Sequence, residues 1–335
     1  MTDNSITDQP LLRVTNLSKH FQIERGFPKS TTYTVKAVDD VSFVINRQEA
    51  FGLAGESGCG KSTVGRCVLR LIEPDAGKVQ LGDLDVLGLG KDDLRTLRKK
   101  MQIIFQDPYS SLNPRRTIGQ TLEEPMKVHK LYPRNETRAV AERLLKSVGL
   151  SAGAIDKYPH EFSGGQRQRI GIARALLFNP ELIVADEAVS ALDVSIQMQI
   201  LQLMQELKEK LSLSYLFISH DLAVVRYFCQ RVAIMYLGKF VELGSVSQIF
   251  DQPLHPYTIT LRNASPIPDP GLEQEFAQLK GEVPSPISPP EGCHFHPRCD
   301  RVMDICRKEY PQWIELGEGR CVACHLYNEE ERSTS

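Results

Sequence analysis

Short apolar runs, separated by polar clusters and by glycine and proline, divide this chain into strands and helices. The run Leu11–Leu17 alternates with period two and Val35–Ile45 does so again, which predicts an antiparallel pair joined by a polar surface loop over Glu24–Thr34. Phe21 is expected to close the first of these strands, free to stack on a flat ring or to pack in the core. Ala50–Ala54 reads as a buried strand, Lys61–Ile72 as a helix, Val79–Val86 as a strand and Lys91–Lys100 as a charged surface helix. Met101–Gln106 reads as a strand that ends in a glutamine and runs into the loop Asp107–Pro114. Residues 115–150 carry a helical pattern without strand signals, so a helical subdomain is expected near 107–178. Leu182–Glu187 and Leu213–Ser219 are apolar enough for buried parallel strands. The first ends in two acids, and the second is followed by His220 and Asp221.

Composition adds boundaries to this picture. The chain has 335 residues, of which 41% are hydrophobic and 24% charged, ordinary values for a globular protein with a sizeable core. A net charge of −2 argues against bulk electrostatic binding to nucleic acid. No apolar run approaches the roughly 18 residues needed to span a bilayer. The acidic start Met1–Asp8 lacks the basic and apolar regions of a secretory signal, so residues 1–10 are expected to be a disordered leader and the chain to remain in the cytosol.

Candidate chemistry centres on Gly55-Glu56-Ser57-Gly58-Cys59-Gly60-Lys61-Ser62, which fills every fixed position of the phosphate-cradling pattern G-x-x-x-x-G-K-[ST] between a predicted strand and a predicted helix. The glycines let backbone N–H groups turn toward phosphate oxygens, Lys61 would reach the β- and γ-phosphates, and the Ser62 hydroxyl would ligate Mg²⁺, with Thr63 adjoining. Cys59 falls at a helix start, where a thiol pKa tends to drop, but the favoured reading is simply a small side chain that the loop tolerates. Downstream, Asp186 could hold Mg²⁺ through water and Glu187 could orient or deprotonate an attacking water. Ser163-Gly164-Gly165-Gln166 is a Ser-capped, Gly-rich helix entry and so a second anion site. Asp193 falls near the positive end of the next helix, and His220 is placed to contact a γ-phosphate.

Taken together, these stretches resemble the ATP-binding cassette family over about residues 11–262. Gly55–Ser62 looks like its Walker A motif, Gln106 its Q-loop, Ser163–Gln166 its signature motif and Leu182–Glu187 its Walker B motif with the catalytic glutamate. Ser190–Asp193 matches the D-loop and His220 the switch histidine, and by the same match Phe21 is the adenine-stacking aromatic. The resemblance implies an α/β fold: a P-loop NTPase cassette with a RecA-like core, an antiparallel β subdomain and a helical subdomain, spanning 11–264. It implies an ATPase that uses ATP and Mg²⁺, with Gln106 among the metal's neighbours. It further implies two cassettes facing head to tail, so that Ser163 and Gly165 serve the partner's nucleotide. Phe162 stands where leucine is common and Ala188 where proline usually follows the glutamate, which leaves both acids in place. A nucleic-acid ATPase built on the same cassette is the competing class; one copy of each motif, no long coiled-coil insertion and no basic stripe count against it.

Beyond the cassette, residues 265–292 carry seven prolines and read as an extended tether to a cysteine-rich extension over 293–335. His255-Pro256-Tyr257, Gly281–Pro286 and the cysteines look like the C-terminal extension of oligopeptide and dipeptide importer ATPases, in particular of the second ATPase subunit of dipeptide permeases. That resemblance implies work at the cytoplasmic face of a bacterial inner membrane, as a peripheral subunit without a span of its own. The implied partners are a homologous ATPase, two transmembrane permeases and, indirectly, a substrate-binding protein, but no nucleic acid. Nickel, haem or another solute is the alternative cargo. The loop around Tyr109–Arg116 would carry motion to a permease. Cys293, Cys299, Cys306 and Cys324 are spaced more widely than common zinc pairs and suit a [4Fe–4S] cluster. Cys321 and Cys324 form one short pair, so zinc remains open, as do unligated thiols; the resemblance takes Cys324 as fourth ligand and leaves Cys321 spare.

Overall fold

The computed structural model describes residues 10–25, 31–107, 112–264, 282 and 284–328. They form two compact units. One contains residues 46–49 and 89–216, the other 10–45, 50–88 and the chain from Phe217 onward.

In the second of these units, the strands Pro10–Arg25 and Thr31–Asn46 are far longer than their alternating stretches suggest. They belong to an antiparallel sheet in which Leu12 pairs with Leu81 and Val14 with Val79. The expected antiparallel piece is therefore present, but Phe21 lies inside its strand rather than closing it, because the strand continues through Ile23 to Arg25. The single strand expected over Val79–Val86 is instead a hairpin, Ala76–Leu81 and Leu84–Asp85, turning at Gly82 (φ 57°) and Asp83. A Gly-Asp pair between apolar residues is a hairpin signal.

A second sheet in this unit runs in the order Trp313–Glu315, Cys321–Ala323, Lys239–Ser245, Arg231–Tyr236, Ala50–Ala54. The strand leading into the phosphate loop pairs in parallel with Arg231–Tyr236, Phe51 opposite Arg231 and Ala54 opposite Ile234. All five residues of Ala50–Ala54 are buried, which is why they read as one apolar run. The cysteine-rich extension contributes the two outer strands, with Glu242 opposite Val322 and Leu243 opposite Cys321. It extends the sheet of the nucleotide-loop strand and covers the edge of Lys239–Ser245.

The other unit holds the helical stretch. Residues 115–150 form two helices, Ile118–Val128 and Thr137–Ser147, interrupted at Lys130 (φ 50°). The first is started by a capping box: Gln120 N–H donates to Thr117 Oγ1 (3.2 Å) and Thr117 N–H to Gln120 Oε1 (3.0 Å). Ile118, Leu122 and Met126 are buried on one helix, Val140, Ala141 and Leu145 on the next, the i, i+4 spacing of an amphipathic pair. Met101–Ile104 pairs in parallel with the fully buried Leu182–Asp186, Ile104 opposite Ala185. That pairing puts Gln106 and Glu187 just past the ends of neighbouring strands.

Candidate functional site

The phosphate loop is shaped by backbone that other residues resist. Gly55, Gly58 and Gly60 have φ of 151°, 79° and 110°. A Cβ on Gly60 would sit 2.0 Å from the Ala37 carbonyl oxygen, and one on Gly55 2.2 Å from that of Met235. Lys61 opens the helix Lys61–Val68 and is buried; its Nζ donates to the carbonyls of Gly55 and Glu56, both at 2.8 Å. Those two bonds hold the ammonium across the loop, where a polyphosphate can draw it off. Ser57 and Gly58 are exposed at the mouth, and Ser62 and Thr63 are half-buried behind it.

Cys59 is the small, unactivated side chain that the sequence reading favours. Its thiol is buried and lies 3.7 Å from Lys61 Nζ, and burial pushes its pKa up despite the ammonium. The helix-start argument fails because desolvation of a thiolate outweighs the loop's positive field here.

Glu56 is held at its N–H, its carbonyl and its carboxylate. Its N–H donates to the Tyr257 hydroxyl (2.8 Å), its carbonyl accepts from Lys61, and its carboxylate takes both terminal nitrogens of Arg298 (2.8 and 2.9 Å). Tyr257 and Arg298 were invisible to motif reading as site residues. The nearest signal is the His-Pro-Tyr triplet, whose His255 is fully buried with its pKa pulled down to about 3 by burial. The neutral ring accepts from Tyr257 N–H (3.0 Å), while the Glu242 carboxylate accepts from the backbone N–H groups of Leu254 and His255. Tyr257 in turn packs on Tyr236 and Phe295, with centroids 4.7 and 5.4 Å away. His220 is exposed at the end of Ser214–Ser219, followed by Asp221, which caps the next helix through Ala223 N–H (2.8 Å). Phe21 is half-buried with Lys19 Nζ 5.4 Å from its ring centre.

In the other unit, Gln106 Nε2 donates to Glu187 Oε2 at 2.9 Å. Asp186 is buried at the strand end, and Glu187 takes a left-handed φ of 49°, an uncommon conformation for a residue other than glycine. The Ser190 hydroxyl and N–H both donate to the Glu187 carbonyl, at 3.0 and 3.1 Å, and fix that turn. Ser163 caps the helix Gly164–Leu176 reciprocally with Gln166, as its spacing predicts, and Ser163, Gly164 and Gln166 are exposed. Gly165 must stay small, since a Cβ would lie 2.4 Å from Ile196 Cγ2. Asp193 is an exposed N-cap of Val194–Leu211. The predicted permease-facing loop is only partly visible: residues 108–111 lie outside the described residues.

Cys293, Cys299, Cys306 and Cys324 line one small cavity of about 10 Å³, with His255, His296 and His325 around it. Burial and the neighbouring thiols push Cys293 up to about 11 and Cys324 up to about 12. Cys321 stands apart, beside Trp313, Glu315 and Arg231. Among the described residues, no three of His, Cys, Asp or Glu already stand at metal-ligating geometry. No described helix is long and apolar enough to cross a membrane.

Comparison with known proteins assigns this arrangement. Residues 38–190 match the family model described as ABC transporter, and residues 241–306 the one described as the oligopeptide/dipeptide transporter C-terminal region. A probable peptide ABC transporter ATP-binding protein of Sinorhizobium fredii is 51% identical over 316 residues, 94% of this chain and 90% of that one. An oligopeptide transport ATP-binding protein of Bacillus subtilis is 48% identical over 96% of this chain and 98% of its own. Among solved structures, the dimeric ATP-binding cassette MJ0796, bound to ADP and phosphate after hydrolysis, is 28% identical with a TM-score of 0.61, covering 70% of this chain and 98% of that one. The cassette cbiO1 of Clostridium perfringens shares the fold at a TM-score of 0.62 and 23% identity, covering 77% of this chain and 95% of that one. At this identity and coverage, the chain belongs to the ABC transporter ATPases, as an ATP-binding subunit of the oligopeptide/dipeptide importer family.

Proposed function

We propose that this chain hydrolyses ATP to drive uptake of dipeptides or oligopeptides, paired head to tail with a homologous cassette and docked beneath two permeases at the cytoplasmic face of a bacterial inner membrane. A substrate-binding protein would select the cargo, and within the family the chain corresponds to the second ATPase subunit of a dipeptide permease. The observation that carries the reading is the Gln106–Glu187 hydrogen bond, which ties the residue entering the permease-facing loop to the acid suited to activate water.

Roles follow residue by residue. The loop Gly55–Gly60 and Lys61 take phosphate oxygens, Thr63 lies next to them, and Phe21 offers a face to the adenine ring. Glu187 accepts a proton from water or orients it, and His220 contacts the γ-phosphate. Ser163–Gln166 and Asp193 face the partner cassette's nucleotide. Oxygen donors on Ser62, Asp186 and Gln106 are of the kind that suits Mg²⁺, which would neutralise charge on the transferring phosphoryl group. Glu187→Gln should keep MgATP binding and lose roughly 10²-fold or more in turnover; unchanged hydrolysis rejects the assignment.

The four cavity thiols form one ligand set. Buried thiols that raise one another's pKa are relieved when a cation takes their protons' place. The space they enclose, about 10 Å³, is that of one water-sized body. A [4Fe–4S] cluster would need the sulfurs to spread, and a single zinc ion would need less. Anaerobic purification followed by an absorption spectrum with iron, sulfide and zinc assays separates the two.

A further inference from the structure

Arg298 belongs to the cysteine-rich extension, next to Cys299, yet its side chain is spent on the phosphate loop. Its side chain is 3% exposed, and the guanidinium lies over the rings of Tyr236 and Phe295, 5.9 Å from each centroid. From there Nη1 and Nη2 donate to the two carboxylate oxygens of Glu56, a bidentate charge-assisted pair at 2.8 and 2.9 Å. The hydrogen bonds to Glu56 raise the pKa of the guanidinium further, so it stays charged. Glu56 is the second residue of the phosphate loop, and its own carbonyl accepts from Lys61 Nζ. Pro286, from the segment before the cysteines, lines a cavity of about 90 Å³ with Glu56, Ser57, Gly58 and Cys59. The chain beyond the cassette therefore meets the loop at two places, once through the tether and once through the extension.

A carboxylate in a loop built for polyphosphate is an electrostatic liability. Left unpaired, Glu56 would repel the incoming anion and its backbone would lose one of three anchors. We propose that Arg298 is a positioning residue for the nucleotide: carried by the cysteine-rich extension, it neutralises and holds Glu56 and so sets the affinity of the phosphate loop for MgATP. This rests on the reading that Gly55–Ser62 binds ATP. It makes the extension part of the ATP machinery, acting through one side chain without touching the nucleotide.

The test uses the full chain, with MgATP binding by calorimetry, steady-state hydrolysis and thermal melting. Arg298→Met should weaken MgATP binding by roughly tenfold or more, as a rise in KM with kcat within about twofold. Arg298→Lys, which keeps the charge but not the fork, should fall between. Adding Glu56→Gln to Arg298→Met should restore most of the affinity, because the unpaired carboxylate is gone; a purely structural role predicts no such rescue. Arg320→Met is the control, since Arg320 ties the same extension to Glu242 and to the Gln252 carbonyl away from the loop. It should lower the melting temperature and leave MgATP affinity unchanged. Wild-type affinity in Arg298→Met, absence of rescue, or equal weakening in Arg320→Met would each overturn the proposal. Lys61→Ala separates the two levels: if it abolishes binding while Arg298→Met does not, only the positioning role fails; if it binds normally, the nucleotide reading fails and the positioning role with it.

Discussion

Gln106 and Glu187 stand 81 residues apart in the chain and share a hydrogen bond of 2.9 Å between amide and carboxylate. The contact exists because Met101–Ile104 and Leu182–Asp186 pair in parallel and in register, which brings both strand ends to one edge. Gln106→Glu sets a second carboxylate against Glu187, and two acids at that distance cannot both ionise freely. The acidic limb of the pH–rate profile for ATP hydrolysis should then move upward by about one pH unit or more. An unmoved profile would mean that Glu187 does not act as the base.

Gly60→Ala tests the shape of the phosphate loop. The substitution meets both a φ of 110° and a carbonyl oxygen at 2.0 Å. The expected cost is about 1–3 kcal/mol of stability, with loss of MgATP binding by calorimetry. Gly90→Ala, at an open position with nothing near its Cβ, should leave both unchanged.

Two histidines of the extension's surroundings make stability fall in acid. Burial lowers the pKa of His255 to about 3 and that of His294 to about 4. Both are neutral when folded and protonate near pH 6.5 when unfolded, so their contribution is complete above pH 6.5 and is lost as pH falls toward 4. Each proton taken up on unfolding steepens the decline by at most about 1.4 kcal/mol per pH unit. Melting curves from pH 7 to 4 should show this, and His255→Asn, which removes one titrating group, should flatten the curve.

The cysteines divide into a set and an outsider. Cys306→Ser removes one of four thiols lining a common cavity and, on the proposed reading that these thiols hold a metal, should abolish stoichiometric metal in the purified protein. Cys321→Ser, beside Trp313 on the edge strands, should leave metal content intact. Equal loss in both variants would redraw the ligand set.

The sequence by itself determined what depends on near neighbours along the chain. The phosphate loop, the Ser163–Gln166 cap and the acids ending Leu182–Asp186 were legible because a positive φ, a capping box and a buried parallel strand each leave a short, ordered signature. The Gly-Asp hairpin at Gly82 carried such a signature too, and an uninterrupted reading of Val79–Val86 passed over it. Tertiary structure alone decided what depends on desolvation and on distant contacts. Cys59 sits at a helix start that by itself favours a thiolate, and burial that no local residue announces outweighs it and pushes the thiol pKa up. The sequence marks a Cys-rich extension after a Pro-rich stretch without saying where it packs, and two of its strands join the sheet of Ala50–Ala54. Arg298 reaches Glu56 across 242 residues of chain, because Tyr236, Tyr257 and Phe295 pack into one aromatic cluster that sets the guanidinium against the loop. Such a contact is a property of packing, and a residue pattern records the partners without recording that they meet.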